Sequence, residues 1–333
     1  TLESGPEEQQ ARHDVALSTL LRCLFLYFLQ ARDWLNGDRR YVARKLDACL
    51  HRGESFYRSV LRPLFFGALN REPSQREAQA EALGELPFLN GGLFEPLPIE
   101  REFDNLSWPN EVWQEIVEEL LERYHFTVEP AHGGDGRRAV DPEMLGKVFE
   151  RLMFGSRRKD SGSYYTPREV VRRLVVDAIG GYLADETGLS EPRLRDWLDD
   201  PDSERGGWST KSTERLREAI GELRLLDPAV GTGAFLLEAF HVLQRARRQL
   251  EVSSGDAFER SVAIIHNHLY GVDIQRTAVR ICELRLWLAL LPALRDRSIG
   301  ALPALPNLGH RIGCGDSLTT PPGRPSGSTA AFE

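Results

Sequence analysis

The chain has 333 residues, 41% hydrophobic and 28% charged, with a net charge of −8 at neutral pH. That is enough material for two domains of ordinary size, and the balance excludes a disordered chain. The acidic surplus argues against a protein that is basic throughout, although a local patch can still meet nucleic-acid phosphates.

Residues 1–12 are polar and acidic and do not read as a signal peptide. Over 13–35, Leu17, Leu20, Leu21, Leu24, Phe25 and Phe28 recur at helical spacing. The apolar stretch 20–29 is interrupted by Arg22 and Gln30. It falls short of the roughly 20 apolar residues of a membrane span, so no membrane partner and a cytoplasmic setting are expected. Helical patterns follow at 40–50, 54–70, 74–84 and 110–125. Between the last two, Asn90-Gly91-Gly92 is turn chemistry flanked by Leu89, Leu93 and Phe94, which predicts that the turn packs on a core. Residues 129–139, with Gly133, Gly134 and Gly136, read as a linker. A mostly α N-terminal domain over 1–140 is expected.

A second domain, 141–333, opens with Asp141 and Pro142, which suit a helix start. Leu145, Val148, Phe149, Leu152 and Met153 give that helix one apolar stripe, and a basic loop at 155–159 ends it. The loop reads either as a solvated helix end or as a phosphate contact. Thr166 and Glu169 have capping-box spacing with Pro167 at the first helical position, and Val171, Leu174, Val175 and Ile179 form a buried face. The polar stretch 187–213, with Pro192, Pro201 and Gly206-Gly207, reads as an insertion with at most one short helix. From 223, strand and helix alternate: strand 223–230, helix 233–250, strand 268–274, helix 275–291 and strand 310–316. This predicts an α/β domain with a doubly wound parallel sheet. Residues 292–308 form a Pro-rich connection, and 319–333 read as loop.

The strongest chemical signal is Asp227-Pro228-Ala229-Val230-Gly231-Thr232-Gly233-Ala234-Phe235, a strand feeding a glycine turn and then a helix. No Lys follows the second glycine, so a P-loop is excluded. Asp227 at the strand end repels a pyrophosphate but attracts an ammonium, which favours S-adenosylmethionine over a nicotinamide dinucleotide. Asp273 ends the next strand, where a carboxylate can accept from ribose hydroxyls, and Ile274 can pack on adenine. Asp316, before Ser317, ends the third and can accept from the adenine amine. Asp273 follows Asp227 at more than the roughly 20 residues of a simple dinucleotide unit, which implies an extended helix or excursion around 245–266. The four cysteines, Cys23, Cys49, Cys282 and Cys314, form no CxxC pair and read as buried thiols. His266 and His268 lack a cluster of further ligands, so no metal is expected.

Asp-Pro-Ala-Val-Gly-Thr-Gly-Ala-Phe at 227–235 resembles the cofactor motif of bacterial adenine-N6 DNA methyltransferases. Tyr-Tyr-Thr-Pro at 164–167 resembles their upstream motif, and Gly-Val-Asp-Ile at 271–274 and Gly-Asp-Ser at 315–317 resemble the next two. Leu-Asn-Gly-Gly-Leu-Phe-Glu at 89–95 and Leu-Gly-Lys-Val-Phe-Glu at 145–150 are similar to the helical connector of large restriction–modification and phage-defence enzymes. The resemblance implies a partial Rossmann-like sheet of the class I S-adenosylmethionine-dependent type, with double-stranded DNA as partner alongside nuclease, helicase or other defence subunits. It implies that Tyr165, Thr166 and Pro167 line the methionine end of the cofactor. Asp227, Ala229, Gly231, Gly233 and Phe235 would hold the amino-acid moiety, Asp273 and Ile274 the ribose and adenine, and Asp316 with Ser317 the exocyclic amine.

The family's catalytic motif, an Asn or Asp followed by two prolines and an aromatic, is missing. The one Pro-Pro, Pro321-Pro322, stands between Thr320 and Gly323. The expectation is therefore a cofactor half-site, truncated before the chemistry and inactive alone. The acidic-x-Lys element of a metal-dependent nuclease is also missing, since Ala43, Leu145, Arg157 and Ser209 stand two before the four lysines. The alternatives are a non-catalytic scaffold or DNA-binding module of a defence complex, a nicotinamide-dependent oxidoreductase, and a methyltransferase of protein or RNA.

Overall fold

The structure is a computed structural model that describes residues 9–90, 92–103, 105–127, 138–140, 166–199, 207–250 and 255–319. Gly91, the helix and basic loop expected over 141–159, Tyr164, Tyr165, most of the expected linker and the tail from 320, Pro321-Pro322 included, lie outside the described residues. The chain divides into two compact units. One comprises Thr1–Leu145 with Trp287–Asn307, the other Gly146–Leu286 with Leu308–Glu333.

The first unit is built on α1 (Gln9–Ala31). Its stretch 11–31 is long and apolar enough to cross a membrane by length and composition, with mean hydropathy 1.4, yet two thirds of it lies inside the protein. Leu21, Phe25, Leu26, Phe28 and Leu29 are its core-facing residues. Then follow α2 (Tyr41–Arg52), wide helical turns at Tyr57–Leu61 and Pro63–Leu69, and the short α3 (Ala78–Glu81) and α4 (Pro98–Glu102). After them, α5 (Asn110–Gln114) runs into a wide turn at Glu115–Leu121.

Arg22, which only breaks the apolar run in the sequence, is a central fastener. Its Nε donates to the Leu93 carbonyl at 2.8 Å, and Nη1 and Nη2 donate to the two Glu100 oxygens at 2.6 and 2.9 Å. Nη2 also donates to the Glu95 carbonyl at 2.8 Å. Both side chains are 1% exposed, so the pair fixes the 89–95 loop against α1, with Leu89, Leu93 and Phe94 buried. The Pro-rich connection joins the same unit: the Leu305 amide donates to the Leu89 carbonyl at 2.6 Å.

A short β1 (Tyr124–Phe126) pairs in parallel with β2 (Arg138–Val140), Tyr124 opposite Arg138. The sequence instead predicts helix to 125 and a linker after 129. The packing of Phe126 on Tyr27 and Phe28, with ring centroids 5.1 and 5.3 Å apart, outweighs the local helical pattern.

The second unit runs α6 (Arg168–Thr187), α7 (Glu191–Asp199), α8 (Thr210–Glu222), β3 (Leu225–Asp227), α9 (Ala234–Gln249), α10 (Ala257–His268), β4 (Leu269–Asp273), α11 (Arg276–Leu290) and β5 (Ile312–Cys314). The last residues of α11, 287–290, belong to the first unit. Three parallel strands form a small sheet in the order β3-β4-β5, with Asp227 opposite Gly271 and Asp273 opposite Cys314. The second unit is thus rich in helix around a small parallel sheet. That register carries the ends of the three strands to one edge. α9 packs on β4, α6 and α10.

Three local expectations change. Pro167 precedes α6 rather than starting it, and its carbonyl accepts the amides of Val170 and Val171, with no capping bond from Thr166. Leu174 is exposed, because the buried stripe runs through Val171, Val175, Ile179 and Leu183. The polar stretch 187–213 holds the whole of α7 and the start of α8. Narrow stripes, Leu194, Trp197 and Leu198 in α7 and Leu216, Ala219 and Ile220 in α8, suffice to bury these charged helices.

Candidate functional site

β3 ends at Asp227, and the chain turns through 228–233 into α9. The turn is tied to the neighbouring strand: the Val230 amide donates to the Val272 carbonyl at 2.9 Å, and the Gly233 amide to the Val230 carbonyl at 2.8 Å. Gly231 and Gly233 take φ of +51° and +83°, which side-chain-bearing residues adopt only with strain. Their surroundings differ. A Cβ on Gly231 would meet no atom of the described residues within 4 Å, whereas one on Gly233 would lie 2.5 Å from Cys282 Sγ. The turn therefore presents open space at Gly231 and is clamped at Gly233.

The two acids at the strand ends are unequal. Asp273 is engaged on both oxygens, Oδ2 accepting the Gly231 amide at 2.8 Å and Oδ1 the Gln275 amide at 2.8 Å. It thus bridges the second strand to the glycine turn. The Gly315 amide donates to the Asp273 backbone carbonyl at 3.0 Å, which adds the third strand to the cluster. Asp227 Oδ1 accepts the Ala229 amide at 3.1 Å, but Oδ2 is buried and has no hydrogen-bond partner among the described residues. Burial pushes the Asp227 carboxyl above the ordinary aspartate range. The Ala229 amide opposes that shift, and the nearby Asp273 charge adds to it.

Of the remaining expected residues, Ile274 is 73% exposed beside Asp273. Asp316 and Ser317 are exposed, with Asp316 Oδ1 accepting the Leu318 amide at 2.9 Å. Ala229 is exposed, and Phe235 is half-buried in the first turn of α9. Thr166 and Pro167 stand at the head of α6, which packs along α9. Sequence reasoning missed Arg285, which is 5% exposed and donates from Nη1 to the Thr232 carbonyl at 2.7 Å and to Thr232 Oγ1 at 3.3 Å. The one signal available was a cation inside the apolar run of α11. His241, two turns into α9, is pushed down to about 4 by burial first and then by Arg245, Arg168 and Arg285, so it is neutral at pH 7. Among the described residues no group of three His, Cys, Asp or Glu is placed to hold a metal ion. A buried carboxylate oxygen without a donor, beside a turn with open space over Gly231, suits a cationic ligand and repels an anionic one.

Residues 203–317, which contain the turn and all three strand-end acids, match the family model of the MmeI DNA-methyltransferase domain. The chain is 30% identical, over 95% of its length, to a Methanocaldococcus jannaschii protein described as a type II restriction enzyme and methyltransferase. The chain is thus similar to restriction–modification DNA methyltransferases. DNA methyltransferase A of Bacillus subtilis is 23% identical over 81% of the chain. The chain spans 28% and 27% of the lengths of these two relatives. Among solved structures, the type IIL restriction–modification enzyme MmeI in complex with DNA aligns with a TM-score of 0.57 at 18% identity. That match covers 91% of this chain and 37% of the other, and at this identity it speaks for the fold alone.

Proposed function

We propose that the second unit is the donor half of a DNA adenine-N6 methyltransferase that uses S-adenosylmethionine, built on a partial Rossmann-like sheet of the class I type, and that the helical first unit is its connector domain. The observation that carries the reading is Asp227. Its orphaned Oδ2 is the acceptor that an α-ammonium would satisfy, at a turn whose Gly231 leaves open space. The similarity to restriction–modification DNA methyltransferases supports DNA as the partner and a cytoplasmic setting.

The residues present fit the donor. When bound, S-adenosylmethionine supplies a sulfonium methyl for transfer to an amine. Asp227 would hold the amino-acid end, with the backbone at Ala229, Gly231 and Gly233 shaping its bed and Phe235 behind it. Asp273, whose oxygens each accept one backbone amide and keep a further lone pair, would take ribose hydroxyls. Ile274 offers the exposed apolar face for adenine, and Asp316 with Ser317 would meet its amine. Tyr165, Thr166 and Pro167 would close the methionine side.

The test is transfer of labelled methyl from S-adenosylmethionine to duplex DNA by the full-length protein, followed by nucleoside analysis. N6-methyladenine is the expected product. Label confined to cytosine, RNA or protein would overturn the adenine reading. A folded protein that binds DNA but no methyl donor would favour the scaffold alternative.

A further inference from the structure

We propose that Arg285 is a positioning residue of the glycine turn, holding through Thr232 the conformation in which the turn receives its ligand; that this ligand is the methyl donor rests on the reading above. Arg285 lies in an apolar stretch of α11 where Ile281, Leu284 and Leu286 are all buried. Filling that space needs no charge, and burying a guanidinium is costly unless its hydrogen bonds repay the lost water. The side chain spends one nitrogen on two atoms of a single residue, the carbonyl and the hydroxyl of Thr232. Thr232 is itself buried and stands between the two left-handed glycines.

The peptide joining Thr232 to Gly233 is consequently fixed at both ends. Its carbonyl accepts from Arg285, and its amide donates to the Val230 carbonyl at 2.8 Å. Cys282, one helical turn before Arg285 on the same face of α11, seats Gly233 so closely that no side chain fits there. The peptide joining Val230 to Gly231 donates its amide to Asp273, three residues before α11 begins. One continuous piece of chain, strand end plus helix, therefore grips the turn at Gly231, Thr232 and Gly233. At 5% exposure Arg285 acts through the turn and not by touching a ligand.

The experiment compares Arg285→Lys and Thr232→Ala with the unaltered full chain. It reads amide hydrogen exchange over 230–236, thermal midpoint, and calorimetric affinity for S-adenosylmethionine. The lysine ammonium ends one bond short of the guanidinium Nη1 and lacks its planar fork, so it does not hold the Thr232 contacts in the same geometry. Arg285→Lys is expected to raise exchange in the turn while 269–273 keeps its protection and the midpoint stays within a few degrees of the parent's. Affinity for the donor should fall roughly tenfold, the scale of a lost charge-assisted hydrogen bond. Thr232→Ala should move both readouts in the same direction by less. Unchanged exchange in the turn overturns the proposal, as does faster exchange with undiminished donor affinity. If Arg285→Lys does not fold, Thr232→Ala decides by the same criteria. If the unaltered chain binds no methyl donor, the functional reading fails, and the exchange measurement alone judges Arg285.

Discussion

Arg22 in the helical unit and Asp227 at the glycine turn are both charged groups withdrawn from water, and the fold treats them in opposite ways. Arg22 has every nitrogen engaged, by two carbonyls and both oxygens of Glu100, with the ring of Phe66 4.9 Å from its guanidinium carbon. Asp227 has one oxygen served by the next turn of its own chain and the other buried without a partner among the described residues. Native interiors satisfy nearly all buried polar groups; among those left over here, Asp227 Oδ2 is set apart by its place at the end of β3, beside the glycine turn. The first arrangement holds a loop; the second keeps an acceptor in reserve.

The contrast breaks most visibly at Glu100. Glu100→Ala strands the Arg22 charge in the core and should cost about 3–5 kcal/mol, the usual price of halving a buried pair. Denaturant unfolding measures it; a loss below about 1 kcal/mol would mean that Arg22 finds water or another acceptor.

Asp227→Asn should behave in the opposite way. Because burial raises the folded carboxyl above its unfolded value, the ionised form is disfavoured in the fold near neutral pH. A neutral amide removes that penalty, so the thermal midpoint should hold or rise. Affinity for the methyl donor should fall by about 1.5–3 kcal/mol, the worth of a hydrogen bond to a charge. In the parent chain, affinity should also decline as pH falls through the raised Asp227 value, a slope that Asp227→Asn should lack. A large loss of stability in Asp227→Asn would place Asp227 with Arg22, among the fasteners.

The two glycines sharpen the same distinction within one turn. Gly233→Ala combines a left-handed backbone with a collision at Cys282 and should lose about 2 kcal/mol or more of stability. Gly231→Ala meets no atom of the described residues and should cost only about 1 kcal/mol of backbone strain, yet its methyl enters the space assigned to the donor. Equal effects of the two on binding and on melting would remove the distinction.

The smallest expected effect is electrostatic. His241 is lowered to about 4 and His266 and His268 are lowered as well, each by burial first. A depressed histidine contributes stability above its unfolded value near 6.5, and that contribution is lost as pH falls. Melting across pH 7 to 4 should therefore show a decline that His241→Phe reduces by a modest share.

Much of this was legible in the sequence because strand ends and glycine turns are written locally. Asp227, Asp273 and Asp316 each follow an apolar strand run, and the parallel register brings those ends to one edge. The departures arise where tertiary contacts decide. β1 and β2 form beside a Gly-rich stretch because Phe126 docks on α1. α7 and α8 hide in polar sequence because three apolar residues apiece suffice when another helix covers them. Arg22 reads only as an interruption of an apolar run and Arg285 draws no reading of its own, since their carbonyl partners are distant in the chain and a backbone carbonyl leaves no mark on the sequence.

The most direct test of the central claim is calorimetric titration of the full chain and its Asp227→Asn variant with S-adenosylmethionine, with NAD as control. Saturable binding to S-adenosylmethionine alone, weakened at least about tenfold in a folded Asp227→Asn variant, is the predicted result. Equal affinity in the two proteins, or a folded parent chain that prefers NAD or binds neither, would contradict it.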